Sequence, residues 1–250
     1  MTLILNEIHL LKGLENTMMI AAADRRISNP DGSYNSTRRK LFPIRHLKGA
    51  ISYFGLAYVY PKGKAQYMSD WLPTFIGSQA GAPDLETFCR NLCDALRAIM
   101  RKDVLKKYPS GFHVCGYRED GLPEFWSLMN MGGLEGFRHV NFKEEYGEPS
   151  PDFLGRDARQ SFDWDGVNPS SAKNGIFTYR NGDFRGHVAA WDALDNIFST
   201  LIQFDDFKQL RTAREYGEYV KFKFEIIAYF YKKMANKVII ARPIDVIVLP

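Results

Sequence analysis

The chain has 250 residues, 45% hydrophobic, 14% aromatic and 25% charged, with a formal net charge of +4. That composition excludes disordered and fibrous chains and supplies a core that needs no disulfide or metal staple, while interspersed charges give nucleic-acid binding no support. No apolar run approaches the roughly 20 residues of a membrane-spanning helix, and Asn6 and Glu7 interrupt the first apolar stretch, so it does not read as a signal peptide.

Residues 2–11 (TLILNEIHLL) and 16–23 (NTMMIAAA) flank Lys12-Gly13 and predict two neighbouring strands joined by a hairpin. Asp24 to Ser28 leaves the second strand, and Asn29-Pro30-Asp31-Gly32-Ser33 is turn chemistry. Residues 39–44 read as a short strand, and 49–59 as a buried strand ending near Gly55. Asp84 is placed to cap a helix whose apolar face is Leu85, Phe88, Leu92, Leu96, Ile99 and Met100. Residues 112–117 and 123–129 suit two strands around a turn at Asp120-Gly121. Residues 141–185 have no steady period and read as an enlarged surface excursion. Helical patterns follow over 187–203 and about 213–235. Residues 238–249 read as a closing strand, with Pro243 forcing an edge or a bulge. The order strands, helices, strands, helices, strand predicts an α+β fold in a single domain, with helical layers around antiparallel sheets.

Three cysteines cannot all pair within one chain, which fits free thiols in a reducing cytoplasm. Cys89 and Cys93 share a helix face, and Cys115 lies on a strand; all three read as core. The five histidines show no metal spacing, though His9 on the first strand is a candidate to line a cleft. Phosphate-binding glycine motifs are missing, so nucleotide binding lacks support.

Thr2 follows the initiator methionine, and a small second residue permits methionine removal. A threonine so exposed combines a hydroxyl nucleophile with its own α-amine as proton acceptor. An α-amine titrates near pH 7.7–8.0 in peptides, so a useful fraction is neutral at physiological pH. A nearby lysine would disfavour protonation of that amine and stabilise a developing alkoxide; an aspartate would hold the lysine, and a backbone N–H would receive the oxyanion. The sequence offers Thr2 opening a strand, Asp24 and Arg26 after the second, Lys40 opening the third and Gly55 after the fourth. On an antiparallel sheet those ends lie side by side.

The segment Ala23-Asp24-Arg25-Arg26, followed by Arg39-Lys40-Leu41-Phe42-Pro43-Ile44, resembles the acidic-x-Arg and Lys-Leu/Val-Phe pattern of proteasome β-type subunits of the N-terminal nucleophile (Ntn) hydrolases. Residues 2–58 resemble the start of that family, and Gly49 to Gly55 its next strand. Residues 84–133 and 215–248 resemble later elements more weakly, and 134–212 match poorly. The resemblance implies a four-layer αββα sandwich of two antiparallel sheets flanked by helices. It also implies a threonine-type peptidase with Thr2 as nucleophile, Asp24 and Lys40 as its activating pair, Arg26 as structural support and the Gly55 N–H as oxyanion donor, with Phe54 competing for that alignment. It implies no cofactor or metal, a peptide or unfolded-protein substrate, and a homo-oligomer of rings or stacked rings. Where the family carries an aspartate and then a serine with two glycines ahead of the last strand, this sequence reads Asn236 to Pro243; Asn236 can replace the carboxylate as a hydrogen-bond partner but not as a charge. A non-catalytic, self-assembling protein on the same fold and a hydrolase of small amides are the alternatives.

Overall fold

The computed structural model describes residues 2–29, 31–136, 138–151, 153, 159–160 and 162–249. The first strands, in chain order, are β1 (Leu3–Lys12), β2 (Asn16–Asp24), β3 (Arg26–Ser28), β4 (Tyr34–Thr37), β5 (Leu41–Ile44) and β6 (Gly49–Phe54). Short strands β7 (Tyr58–Val59) and β8 (Gln66–Tyr67) precede helices α1 (Met68–Ser78), α2 (Leu85–Ile99) and α3 (Lys102–Leu105). Next come β9 (Gly111–Tyr117), β10 (Pro123–Met129), β11 (Met131–Glu135), β12 (Arg138–Phe142) and β13 (Ser150–Pro151). Strand β14 (Gly175–Gly182), helices α4 (Arg185–Leu201) and α5 (Ala213–Met234) and strand β15 (Ile244–Leu249) follow.

The β1–β2 hairpin is apolar on both faces, and the other elements cover it. The two strands pair antiparallel from Ile4↔Ala23 to Leu10↔Thr17. Together with two flanking strands they form a sheet of order β14-β1-β2-β15; a second antiparallel sheet has the order β13-β10-β9-β6-β5. Because side chains alternate across a strand, Ile4, Ile8, Met19 and Ala21 point one way and meet Leu41, Ala50, Phe54, Cys115 and Phe125 of the second sheet. Leu3, Leu5, Ile20 and Ala22 point the other way, onto Trp191 of α4 and Val220, Phe224 and Ile227 of α5. The outer face of the second sheet packs Ile51, Phe112, Val114 and Leu128 against Leu85, Phe88, Leu92 and Leu96 of α2. Each such fully buried apolar side chain contributes roughly 1.5–3 kcal/mol relative to exposure.

Local chemistry sets the ends of these elements. The Asp84 carboxylate accepts the Thr87 N–H at 2.7 Å and starts α2 where the sequence places it. Thr212 and Glu215 form a reciprocal capping box at the start of α5. Gly13 turns the first hairpin at φ +56°, and a Cβ there would stand 2.7 Å from the Pro169 carbonyl oxygen, so this turn admits glycine alone. Pro243 precedes β15, which occupies a sheet edge beside β2.

Several segments differ from the sequence reading. The closing strand, read over 238–249, is a strand only over Ile244–Leu249. Helix α1 has no counterpart in that reading; Pro73 and Gly77 lie inside it and mask its period. Residues 175–182, read as part of a surface excursion, form β14 and pair with β1 from Leu3↔Gly182 to Leu10↔Gly175. Tyr146, Phe153 and Phe162 of the same stretch are also buried. The reason is long-range: β1 needs a second neighbour along its edge, and no local period announces which segment supplies it. Residues 152, 154–158 and 161 of that stretch lie outside the described residues. Among the described residues, no helix is long and apolar enough to cross a membrane.

His187 on α4 is 4% exposed and stacks on Trp191 with ring centroids 4.6 Å apart. Neither ring nitrogen has a hydrogen-bond partner among the described residues. Burial pushes its pKa down to about 3, and neighbouring Arg180 and Lys223 act in the same direction, against Glu7. The unfolded chain therefore binds this proton more readily than the native one, and the stability linked to His187 is lost as pH falls from about 6.5 towards 3. Denaturant titrations at pH 7 and pH 4.5 should show His187→Leu losing roughly 2–3 kcal/mol less than the parent chain on acidification. Equal losses would remove His187 from the acid response.

Candidate active site

The antiparallel register of β1 and β2 sets the entrance of the first strand beside the exit of the second. Thr2 and Asp24 are thereby neighbours, although 22 residues separate them in sequence. Lys40 stands immediately before β5, and its carbonyl accepts the Tyr53 N–H of β6 at 3.1 Å, which pins its main chain to the second sheet. Its side chain crosses to the first sheet. All three residues are buried: Thr2 is 2% exposed, Asp24 0% and Lys40 2%.

The hydrogen bonds converge on two atoms. Lys40 Nζ donates to Thr2 Oγ1, and Thr2 Oγ1 donates to Asp24 Oδ1. Lys40 Nζ also lies 3.3 Å from Asp24 Oδ1 and donates to the Arg26 carbonyl at 2.5 Å. Asp24 collects two main-chain donors as well, the Leu3 N–H at 3.1 Å on Oδ1 and the Arg26 N–H at 3.0 Å on Oδ2. Arg26 thus serves the site through its backbone. Its side chain turns to Ser28 Oγ at 3.0 Å and lies 5.3 Å from the Tyr34 ring.

Burial lowers the Lys40 pKa below that of an ordinary lysine; the Asp24 carboxylate opposes this and the Arg26 charge reinforces it. An ammonium so placed surrenders its proton more readily than a solvated one. Held against a hydroxyl oxygen, it can stabilise an alkoxide or relay a proton.

Thr2 and Lys40 open onto a narrow cleft, with Arg26, Ile27 and Ser28 on one wall and Tyr53, Phe54 and Gly55 on the other. Gly55 follows β6 at φ +84°, and a Cβ there would stand 1.9 Å from the Pro109 carbonyl oxygen. The chain can pass this point only with glycine. Of the five residues singled out in sequence, Thr2, Arg26, Lys40 and Gly55 line one opening, and Asp24 lies buried behind it against Thr2 and Lys40.

Other candidates lie elsewhere. His9 does not face the cleft: it sits on the opposite face of β1, with Nε2 2.8 Å from Glu7 Oε2 and its ring against Tyr216 of α5. One residue of strand register decides that face. Cys89, Cys93 and Cys115 are buried free thiols, and burial pushes the Cys115 thiol up to about 12. Arg25 pairs with Asp245 at 2.5 Å and Arg38 with Asp70 at 3.4 Å, as surface charges do. Among the described residues, no group of three or more His, Cys, Asp or Glu side chains is placed to hold a metal ion.

Asn236 is exposed. The group that bonds the Thr2 carbonyl is instead the Asp183 N–H, at 2.7 Å. Sequence reasoning missed Asp183 because it closes the stretch without periodicity. The usable signal was Asn181-Gly182-Asp183 closely following the β-forming run Ile176 to Tyr179, with Arg180 between.

No protein-family model matches the chain, and no curated protein matches it. Among solved structures, the chain is similar to Anbu (ancestral beta-subunit) from Yersinia bercovieri, at a TM-score of 0.44 and 9% sequence identity, over 99% of this chain and 82% of that one.

The Asp24–Lys40 pair generates a stability test. Lys40→Met leaves a buried carboxylate without its cation, and chemical denaturation is expected to show a loss of about 3–5 kcal/mol. Adding Asp24→Asn removes both charges and should restore most of that loss. A double variant as unstable as Lys40→Met would mean that the two side chains do not act as a pair.

Proposed function

We propose that this chain is a threonine-type amide hydrolase of the N-terminal nucleophile kind, a single domain of four layers in which Thr2 becomes the terminal residue when Met1 is removed. The observation that carries the reading is the buried contact of the Thr2 hydroxyl with Lys40 and Asp24 at the base of a cleft. A threonine placed second by chance has no reason to meet two buried opposite charges.

In this reading the α-amine of Thr2 accepts the hydroxyl proton as Oγ1 attacks the substrate carbonyl carbon. Lys40 steadies the negative charge that develops on Oγ1, and Asp24 keeps Lys40 aimed. A backbone N–H at the Phe54–Gly55 end of β6 receives the carbonyl oxygen as it becomes an oxyanion. The ammonium of Thr2 then returns its proton to the leaving amine, the C–N bond breaks, and an ester to Thr2 remains. Water, activated by the same amine, hydrolyses that ester and regenerates the hydroxyl. The resemblance of residues 2–58 extends the proposal to peptide or unfolded-protein substrates, a cytoplasmic setting and assembly into rings. The second reading, a non-hydrolytic assembly protein, draws on the near-complete burial of Thr2.

Intact-mass spectrometry of the purified protein, before and after treatment with a β-lactone, separates the two. The hydrolase reading expects loss of Met1 and one covalent adduct on Thr2. Lys40→Arg, which cannot place its charge at the same point, should slow adduct formation by roughly 10²–10³-fold, the usual weight of one group stabilising a developing negative charge. Retained Met1 with no adduct would sink the hydrolase reading and leave the assembly protein.

A further inference from the structure

We infer that Asp183 is a positioning residue for Thr2, holding the nucleophile's main chain while Asp24 and Lys40 hold its side chain; this rests on the reading of Thr2 as nucleophile. The β1–β14 ladder ends at the pair Leu3↔Gly182, one residue short of Thr2. There the chain bends over the Thr2 carbonyl. Gly182 has φ +92°, and a Cβ on it would stand 1.9 Å from the Thr2 carbonyl oxygen, so only glycine permits the approach. The next residue delivers its N–H to that oxygen at 2.7 Å.

The Asp183 side chain fixes this bend to two helices. It is a buried residue, 4% exposed. Its Oδ1 accepts Arg185 Nε at 2.9 Å and the Tyr231 hydroxyl at 2.8 Å, and its Oδ2 accepts an Arg185 terminal nitrogen at 2.5 Å. The Arg185 main-chain N–H approaches Oδ1 at 3.3 Å. Arg185 begins α4 and Tyr231 lies near the end of α5. Burial raises the proton affinity of this carboxyl, but the hydrogen bonds from Arg185 and Tyr231 outweigh it and keep the group below the usual carboxylate range. It therefore stays an anion that draws its donors together near neutral pH.

A terminal threonine needs this restraint. With no preceding residue, the direction in which its amine and its Cβ leave the strand depends on rotation about its own Cα–C bond. Fixing the carbonyl oxygen fixes that rotation, and with it the position of Oγ1 and the amine against Lys40 Nζ. A misplacement of about 1 Å in such a pair costs up to about a hundredfold in rate.

The test uses the full chain with Met1 removed and a β-lactone as probe, separating the inactivation rate constant from the inhibition constant. Asp183→Asn keeps the N–H and the shape but loses the charge. It is expected to lower the rate constant by roughly ten- to a hundredfold with the inhibition constant unchanged. Tyr231→Phe removes one hydroxyl that does not touch Thr2, and should lower the same rate constant by a few-fold while circular dichroism stays that of the parent. A residue that merely supports the fold would leave both constants unmoved in folded protein. A folded Asp183→Asn with the parent's rate constant, or with a change confined to the inhibition constant, overturns the assignment. If that variant does not fold, an unchanged rate constant in Tyr231→Phe overturns it instead. A parent chain that takes no label removes the nucleophile and the positioning role with it, whereas a labelled parent with unaffected variants removes the positioning role alone.

Discussion

The structure depends on one buried pair of opposite charges. Taking an ammonium and a carboxylate out of water costs several kcal/mol each, and mutual attraction recovers this only when the geometry is good and the remaining lone pairs are satisfied. Asp24 meets that condition by accepting from the Thr2 hydroxyl, two backbone N–H groups and Lys40. Three of those partners belong to residues 2, 3 and 26, so the pair cannot form unless β1, β2 and the start of β3 are in register. Lys40 brings in the second sheet. The charges thus act as a checkpoint on the mutual placement of both sheets.

The same strand carries polar groups on its two faces, and each meets a partner of matched chemistry. Between the sheets, Asn6 Nδ2 donates to Cys115 Sγ at 3.2 Å and Asn6 Oδ1 accepts from His113 Nδ1 at 2.8 Å. That leaves His113 Nε2 to accept from Asn181 Nδ2 at 2.7 Å. Burial lowers the His113 pKa to about 3, so the ring is neutral and this tautomer follows from the network. Beneath the helices, Glu7 accepts from Trp191 Nε1 at 2.8 Å and lies 3.6 Å from Lys223, which also binds Asp195 at 2.8 Å. Asn6 and Glu7 are the residues that broke the first apolar run. Their placement in two separate networks gives β1 a fixed rotation and fixed neighbours, which an all-apolar strand would not have.

What could be read from the sequence was whatever depends on local chemistry. The Asp84 cap, the apolar stripe of α2 and the alternation in β1 and β2 are properties of neighbouring residues. Thr2, Asp24, Arg26, Lys40 and Gly55 could be read as neighbours because each stands at the end of a strand. Contacts made by distant segments were not legible. Strand β14 has an ordinary pattern among turn formers, and only pairing with β1 distinguishes it. Asp183 owes its place at Thr2 to that pairing, and the face taken by His9 is settled by contact with α5 rather than by its own neighbours. Each of these choices is made by tertiary packing, which overrides short-range preference.

Thr2 precedes a strand flanked on both edges, by β2 on one side and β14 on the other. Slippage by one residue would invert the alternation of Ile4, Ile8 and their partners and carry the Thr2 hydroxyl about 3.3 Å along the sheet. The paired strands on either side of the Gly13 turn tolerate little change in length, because a single-residue insertion within either shifts Thr2 against Asp24. The same confinement bears on laboratory handling. Thr2 is 2% exposed, so a fusion partner joined to the front of the chain would have to be accommodated beside a buried residue, whereas one joined behind β15 extends from a sheet edge.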